Sequence, residues 1–194
     1  MTLDALRAQF RDGRCHHVVM PGVLAPEAAA RLRDEVDSAG FAAFDEPDRG
    51  HYEHNGALAV PWLLDELRGL AEQLADAPLR ADRADWRRLR HRDYQLIKGD
   101  ARDRPVTGAY LEVTLDFSER ATGQAEVVYS DGRDSWVVPQ LPGSVAVVAR
   151  EPWLFRYQRY LNGAVGDAVV HRLHLALAIV EAASPRARET PAAG

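Results

Sequence analysis

Residues 169–180 are VVHRLHLALAIV, an apolar run that carries one arginine among histidines and leucines. In an extended strand, successive side chains point to opposite faces, so Arg172 and His174 share one face while the intervening leucines share the other. Burying an arginine in such a strand is costly unless a carboxylate pairs with it. The pattern predicts a strand whose polar face meets either a bound ligand carboxylate or a carboxylate of the protein.

Upstream segments show the same period of two, and Gly-containing turns such as Pro142-Gly143-Ser144 separate them. A shorter β-type run, His17–Met20, lies near the N-terminus. We predict the remaining strands at Leu89–Ile97, Ala109–Phe117, Ala125–Tyr129, Trp136–Val138, Val145–Val148 and Phe155–Leu161.

Helical patterns come earlier in the chain than most of the strands. They cover residues 1–11, residues 26–37 with Gly40 as the C-cap, and a leucine-striped segment that starts at Pro61. Phe41–Gly56 has no clean period and predicts a long loop. Helices followed by strands indicate an α+β protein with helices packed on one side of an antiparallel sheet, and two facing sheets would form a jelly roll.

Composition excludes several classes of function. The 194 residues, 46% hydrophobic and 27% charged, suit one soluble domain over residues 1–184 with a flexible tail at 185–194. A net charge of -5 argues against nucleic acid as a partner. Cys15 is the sole cysteine, which excludes an intrachain disulfide. Without an apolar run of roughly 20 residues or a signal-peptide core, we expect no membrane partner and a cytoplasmic location. Homodimer formation stays open.

The order of these segments resembles the prolyl-hydroxylase-like branch of the Fe(II)/2-oxoglutarate oxygenases over about residues 16–180. The resemblance implies a double-stranded β-helix, or jelly roll, with the N-terminal helices packed on one sheet. The segments similar to the family's are His17–Glu27, Asp93–Asp100, Leu111–Phe117, Gly123–Tyr129, Pro139–Val145 and Arg172–Leu175.

The resemblance also implies a cofactor site. The family holds Fe(II) with a His-x-Asp motif and a later histidine, and it binds 2-oxoglutarate with a basic residue. Asp100 stands at the motif carboxylate and is the expected metal ligand. Lys98 stands where the motif has histidine, and the segment 156–159, where the later histidine is expected, has none. Arg172 and His174 are expected at the cofactor, together with Tyr94 and Lys98.

Other residues offer alternatives for the metal. A literal His-x-Asp occurs at His91 and Asp93, and His51, His54 or His174 could supply an imidazole.

Lys98 suggests a different arrangement. Its ammonium could pair with Asp100 in place of the metal's charge. With Arg172, and Arg156 or Arg159, it would then form a cationic pocket for a small carboxylate or phosphate.

Two functions follow from these observations. The first is a hydroxylase-type dioxygenase with an atypical metal site, acting on a small-molecule or peptide substrate that the sequence does not identify. The second is a catalytically silent relative that binds an anionic small molecule or a protein partner.

Overall fold

The computed structural model describes residues 2–102 and 108–180. The helices are α1 (Leu3–Arg11), α2 (Pro26–Ala39), α3 (Pro61–Ala75) and α4 (Ile97–Arg102). The strands are β1 (His17–Met20), β2 (Ala42–Glu46), β3 (Gly50–Asn55), β4 (Leu79–Leu89), β5 (Tyr94–Gln95), β6 (Tyr110–Asp116), β7 (Val127–Ser130), β8 (Ser135–Val138), β9 (Val145–Arg150), β10 (Phe155–Gln158) and β11 (Val170–Ile179). The α+β class predicted from the sequence is confirmed, whereas the predicted tail at 185–194 lies outside the described residues.

The strands form one antiparallel path in the order β1-β9-β6-β11-β4-β3-β5-β10-β7-β8, with β2 added to β3. We call the first six strands of this path the major sheet (β1, β9, β6, β11, β4 and β3). The last four strands are the minor sheet (β5, β10, β7 and β8). The two sheets face each other, because Val127 and Tyr129 of β7 pack against Ala146 and Val148 of β9 in one buried cluster. The path therefore curls into a barrel.

The three N-terminal helices cover the outer face of the major sheet. Leu32 of α2 and Leu67 of α3 join Leu173 and Leu175 of β11 in the largest apolar cluster. The proline at the start of α2 and of α3 fits the first helical turn, where its missing N–H has no partner to lose. The inner face of the sheet is not covered by these helices and is lined by a different set of side chains.

Three predicted local structures are wrong. The predicted strand Leu89–Ile97 is not continuous, because β4 ends at Leu89, a turn follows at 90–93, and only Tyr94–Gln95 is extended before α4 begins at Ile97. Phe41–Gly56 forms the β2–β3 hairpin and not a loop. The sequence did not predict it because β2 is mostly exposed and neither strand has a regular apolar alternation. Lys98-Gly99-Asp100 lies in α4 and not in a turn after a strand. Gly99 is required there, since a Cβ at this position would lie 2.7 Å from the carbonyl oxygen of Arg49.

Among the described residues, no helix combines the length and apolar character that crossing a membrane requires.

We expect Leu175→Ala to lower the free energy of unfolding by about 2–5 kcal/mol, because it removes a fully buried side chain between β11 and the helices. Urea denaturation followed by circular dichroism measures the change. Ile179→Ala, at the exposed end of the same strand, is the matched control and should have a much smaller effect. Equal effects would show that the helices do not anchor on β11.

Candidate functional site

Three adjacent strands set the polar inner face of the barrel. β11 lies between β4 and β6, and Arg172 is paired in register with Arg87 on one side and Asp116 on the other. One row further along, His174 lies between Asp85 and Thr114. The row between these two, Leu173 with Trp86 and Leu115, points outward into the apolar cluster under the helices. In the next outward row, Arg88 and His171 contact Asp37 of α2.

Eight buried charged side chains form what we call the interior ion cluster. Every one is at most 6% exposed. The cations and anions are equal in number, so the cluster is formally neutral. Its members are Arg87, Arg150, Arg156 and Arg172 with Asp85, Asp100, Glu112 and Asp116.

Arg150, at the end of β9, joins two carboxylates. Its Nη1 donates to Glu112 Oε2 at 2.5 Å, and its Nη2 donates to Asp100 Oδ2 at 2.6 Å. The guanidinium also lies over the rings of Tyr110 and Tyr129, at 5.6 and 5.3 Å from their centroids. Arg150 is therefore held by charge and by cation–π contact in a site without solvent exposure.

Arg156, on β10, binds the same two carboxylates. Its backbone N–H donates to Asp100 Oδ2 at 2.8 Å, and its Nη1 donates to Glu112 Oε1 at 2.7 Å. The same Nη1 lies 2.9 Å from His174 Nδ1. Because a guanidinium can only donate, His174 Nδ1 accepts and carries no proton.

Burial and neighbouring charge fix the ionisation of this region. Burial opposes ionisation of Glu112, but Arg156 and Arg150 outweigh it and hold the pKa of that carboxyl well below its usual 4.5. Burial, with Arg156 nearby, lowers the pKa of His174 from 6.5 to about 3. At neutral pH Glu112 is therefore ionised and lies beside a neutral His174 imidazole.

Little space is left inside the barrel. The cavity bounded by Tyr110, Glu112, Arg156 and His174 has a volume of about 30 Å³, which is room for about two water molecules. A groove of about 600 Å³ lies outside the barrel, where Leu96, Ile97 and Tyr157 are among its lining residues.

Asp100 lies inside the barrel, but Lys98 does not join it. Lys98 is at the surface, with its Nζ 3.9 Å from Asp48 Oδ2. The predicted Lys98–Asp100 pair is wrong because the segment is helical, and residues two apart in a helix point roughly 200° apart. The cations beside Asp100 are Arg150 and Arg156, while Arg159 pairs with Glu126 at the surface.

The other predicted residues are dispersed. Tyr94 points away from the barrel and donates its hydroxyl to the Pro47 carbonyl, while Gln95 faces the interior. His91 is exposed and lies near Tyr160. Asp93 instead accepts from the Arg90 backbone N–H and pairs with His51. His91 and Asp93 therefore do not point toward a common site.

The two histidines of β3 also have carboxylate partners. His51 Nδ1 lies 2.7 Å from Asp93, and His54 Nδ1 lies 3.2 Å from Asp85. These contacts tie β3 to the rest of the barrel.

Arg172 and His174 face the interior on one side of β11, as the alternation predicts. Arg172 donates to Asp116 Oδ2 at 3.2 Å, to Gln158 Oε1 at 2.5 Å and to the Ala125 carbonyl. The sequence left open whether Arg172 pairs with a ligand or with a carboxylate of the protein. In the structure its partner is a protein carboxylate, Asp116.

The sequence reasoning missed Glu112 and Arg150 as members of the site. Glu112, Thr114 and Asp116 alternate with apolar residues in β6, which was a usable signal for a polar inner face. Arg150 gave no such signal, since it follows an apolar strand at a position where a surface residue would be ordinary.

Solved structures with this architecture share one fold. An oxidoreductase of the 2OG-Fe(II) oxygenase family from Burkholderia pseudomallei has a TM-score of 0.72 at 15% identity, covering 96% of this chain and 95% of that one. The fold is that of the 2-oxoglutarate oxygenases. A prolyl-4-hydroxylase from Pseudomonas putida has a TM-score of 0.68 at 10% identity, with coverage of 93% and 100%. The predicted double-stranded β-helix is confirmed, and with it the resemblance to this superfamily at the level of the fold.

HygX from Streptomyces hygroscopicus, solved with nickel, 2-oxoglutarate and hygromycin B, has a TM-score of 0.64 at 14% identity, with coverage of 93% and 88%. No protein-family model and no curated protein matches this chain. At such low identity the oxygenase fold is shared, and the chemistry depends on the residues themselves.

The residues do not fit iron. Non-haem Fe(II) in this kind of enzyme needs two imidazoles and a carboxylate on one face. In residues 2–102 and 108–180, no three His, Cys, Asp or Glu side chains are grouped so that they could hold a metal ion. Asp100 Oδ2 already accepts from two arginines, and His174 directs its lone pair at a third donor, Arg156 Nη1.

The residues do not fit 2-oxoglutarate inside the barrel either. Arg172 is fully buried and bonded to three protein acceptors, so a cofactor carboxylate would have to displace Asp116 or Gln158. The 30 Å³ cavity is also smaller than a five-carbon dicarboxylate requires.

Arg150→Met should lower the free energy of unfolding by about 3–5 kcal/mol, because it leaves Asp100 and Glu112 buried with one cation fewer. Urea denaturation at pH 7 measures the loss. Arg159→Met, which removes an exposed pair with Glu126, is the control and should change stability by less than about 1 kcal/mol. A loss for Arg150→Met no larger than that of the control would contradict the network.

Stability should fall as the pH is lowered from 6.5. The folded pKa of His174 is about 3 and its unfolded value is 6.5. Between these values the unfolded state binds the extra proton, and acidification favours unfolding. The depressed pKa of Glu112 adds a further loss below 4.5.

His174→Gln should flatten the dependence between pH 6.5 and 4.5, measured as the urea midpoint at several pH values. Some slope should remain, because burial also lowers the pKa of His171. His91→Gln, at the surface, is the control. An unchanged slope in His174→Gln would show that His174 is not held neutral in the fold.

Proposed function

We propose that this chain is a redox-silent relative of the 2-oxoglutarate oxygenases, in which the barrel is a scaffold and the activity is binding of a protein partner at the outer surface. One observation carries the proposal. Asp100, at the position of the motif carboxylate, accepts from Arg150 Nη2 at 2.6 Å and from the Arg156 backbone N–H at 2.8 Å. A carboxylate so bound has its charge neutralised by the protein.

The charge balance of the interior argues against the small-anion form of this hypothesis. The four arginines face four carboxylates, so the interior ion cluster offers no excess positive charge to a phosphate or carboxylate ligand. The space for a partner lies outside, where the apolar side chains of Leu96 and Ile97 are about 40% exposed beside the surface groove. Exposed apolar surface of this kind is typical of protein contacts.

Hydroxylase-type oxidation by an Fe(II)/2-oxoglutarate site is the alternative. The architecture shared with the oxygenases favours it, but the donor set does not. The two functions make opposite predictions for metal and cosubstrate binding.

Anaerobic titration of the purified chain with Fe(II), with and without 2-oxoglutarate, tests the proposal. We expect no stoichiometric iron binding, no visible charge-transfer band and no succinate on exposure to oxygen. A prolyl-4-hydroxylase of the same fold is the positive control. Stoichiometric iron together with the band would overturn the proposal and establish the oxygenase alternative.

A thermal-shift series with 2-oxoglutarate, succinate and inorganic phosphate tests the anionic-ligand form. A ligand that binds only the folded state raises Tm, and we expect no rise with any of the three. A concentration-dependent rise with one of them would replace the protein partner with a small anion.

A further inference from the structure

The minor sheet ends in an open edge. β8 is the last strand of the path, and among the described residues only β7 pairs with it. In the hairpin that joins the two strands, the Asp131 backbone N–H donates to the Asp134 carbonyl oxygen. Hydrogen-bonded and non-hydrogen-bonded pairs alternate along an antiparallel ladder, so Trp136 directs its backbone groups at β7. The backbone N–H and C=O groups of Ser135 and Val137 therefore point away from β7, toward the open edge.

This edge lacks the features that usually keep a sheet edge from pairing. Proteins protect exposed edges with charged side chains, prolines or bulges. β2, which pairs with β3 alone in the described part of the chain, carries Asp45 and Glu46. β8 reads Ser-Trp-Val-Val, without charge or proline, and its Val137 side chain is 42% exposed. In the adjoining turn, the charge of Asp134 is paired with Arg14.

A second copy of the same edge satisfies the outward backbone groups. Two antiparallel copies related by a two-fold axis perpendicular to the sheet keep their inward side chains on the inward face. When the axis passes beside Trp136, Ser135 of each copy lies opposite Val137 of the other. Every outward N–H and C=O group of these two residues then finds a partner. Pro139, which follows β8 and has no N–H to donate, lies beyond the paired residues.

We propose that the chain forms a homodimer in which β8 pairs with β8 of a second copy, and Trp136 faces its own counterpart across the two-fold axis. Charge favours this occupant, because a two-fold axis places each edge beside a copy of itself. A charged edge would repel its copy, whereas the uncharged β8 does not. The two tryptophans face each other at a non-hydrogen-bonded position, where cross-strand aromatic pairs add stabilisation.

The pairing also extends the surface groove. Ser135 lines this groove of about 600 Å³ together with Leu96, Ile97 and Tyr157. Ser135 and Val137 share the outward face of β8, since alternate residues of a strand point to the same side. In the dimer, Val137 of the second copy lies opposite Ser135 and adds an apolar side chain beside the groove. The inference therefore goes beyond the proposed function, because the surface offered to a protein partner is built by two copies of the chain.

Sedimentation velocity of the full chain over a range of concentrations tests the dimer. We expect wild type to associate reversibly into a species of twice the 21.5 kDa chain mass. Val137→Lys places a cation on each edge and should weaken the dimer by about tenfold or more. Val23→Lys is the matched control, because Val23 is a 47% exposed valine in the loop before α2, and it should leave the dimer unchanged. A wild type that stays monomeric at every concentration would overturn the proposal, as would equal association of Val137→Lys and wild type.

Cysteine pairs test the register without a change of charge. Ser135→Cys and Val137→Cys are made in separate chains, which are mixed and then oxidised. We expect a disulfide-linked dimer from the mixture and not from either variant alone, because like positions are roughly 7–8 Å apart on the diagonal, too far for a disulfide. Ser135→Cys mixed with Val23→Cys is the control, and the native Cys15 is buried. No cross-link from the mixture, or a stronger cross-link from one variant alone, would contradict pairing centred on Trp136.

Failure of this inference is distinguishable from failure of the proposed function. The proposed function fails if the wild-type chain binds Fe(II) with 2-oxoglutarate, whatever its oligomeric state. The dimer fails if the wild-type chain is monomeric, or if the edge variants associate as wild type does, while the iron titration remains negative.

Discussion

The ion pairing of Arg150 and Arg156 with Asp100 and Glu112 is the interaction on which the barrel depends. An isolated charge in a protein interior is strongly unfavourable, and pairing offsets its desolvation only when the geometry is good and the remaining hydrogen bonds are satisfied. Both arginines contact both carboxylates, so each charge has more than one partner. Small shifts of one side chain therefore leave every charge paired, whereas removal of one arginine or carboxylate leaves a buried charge with too few partners.

The same ion pairs also determine which groups the barrel interior can bind. In an iron enzyme of this fold the central charges converge on an ion that retains open coordination positions for substrate and oxygen. Here guanidinium groups fill the same region and donate to carboxylates and amide oxygens of the protein itself. The interior is a packed polar core with water-sized space, and ion pairs such as Arg156–Glu112 join strands of the two sheets.

Much of the fold was predictable, because β11 and β6 keep strict alternation and prolines and glycines mark the helix ends. The β2–β3 hairpin and the first half of β4 were not, since their exposed, charge-rich sequences lack the apolar period that identifies a strand. The inward direction of Arg172 and His174 followed from alternation alone. The partners of Asp100 did not, because a six-residue helix reversed the side on which Lys98 lies, and because Arg150 meets Asp100 across 50 residues of chain. Tertiary convergence of this kind has no local signal in a single sequence.

The long reach of these ion pairs has a consequence for how the chain folds. Asp100 and Arg150, Glu112 and Arg156, and Asp116 and Arg172 are separated by 50, 44 and 56 residues. Closing such loops costs conformational entropy, and the cost arises before the ion pairs contribute any stabilisation. Because an unpaired buried arginine is costly, we expect each arginine to leave water only as its carboxylate arrives. A partly assembled barrel would hold unpaired charge, and the chain is therefore expected to pass directly between an open, hydrated ensemble and the closed native state.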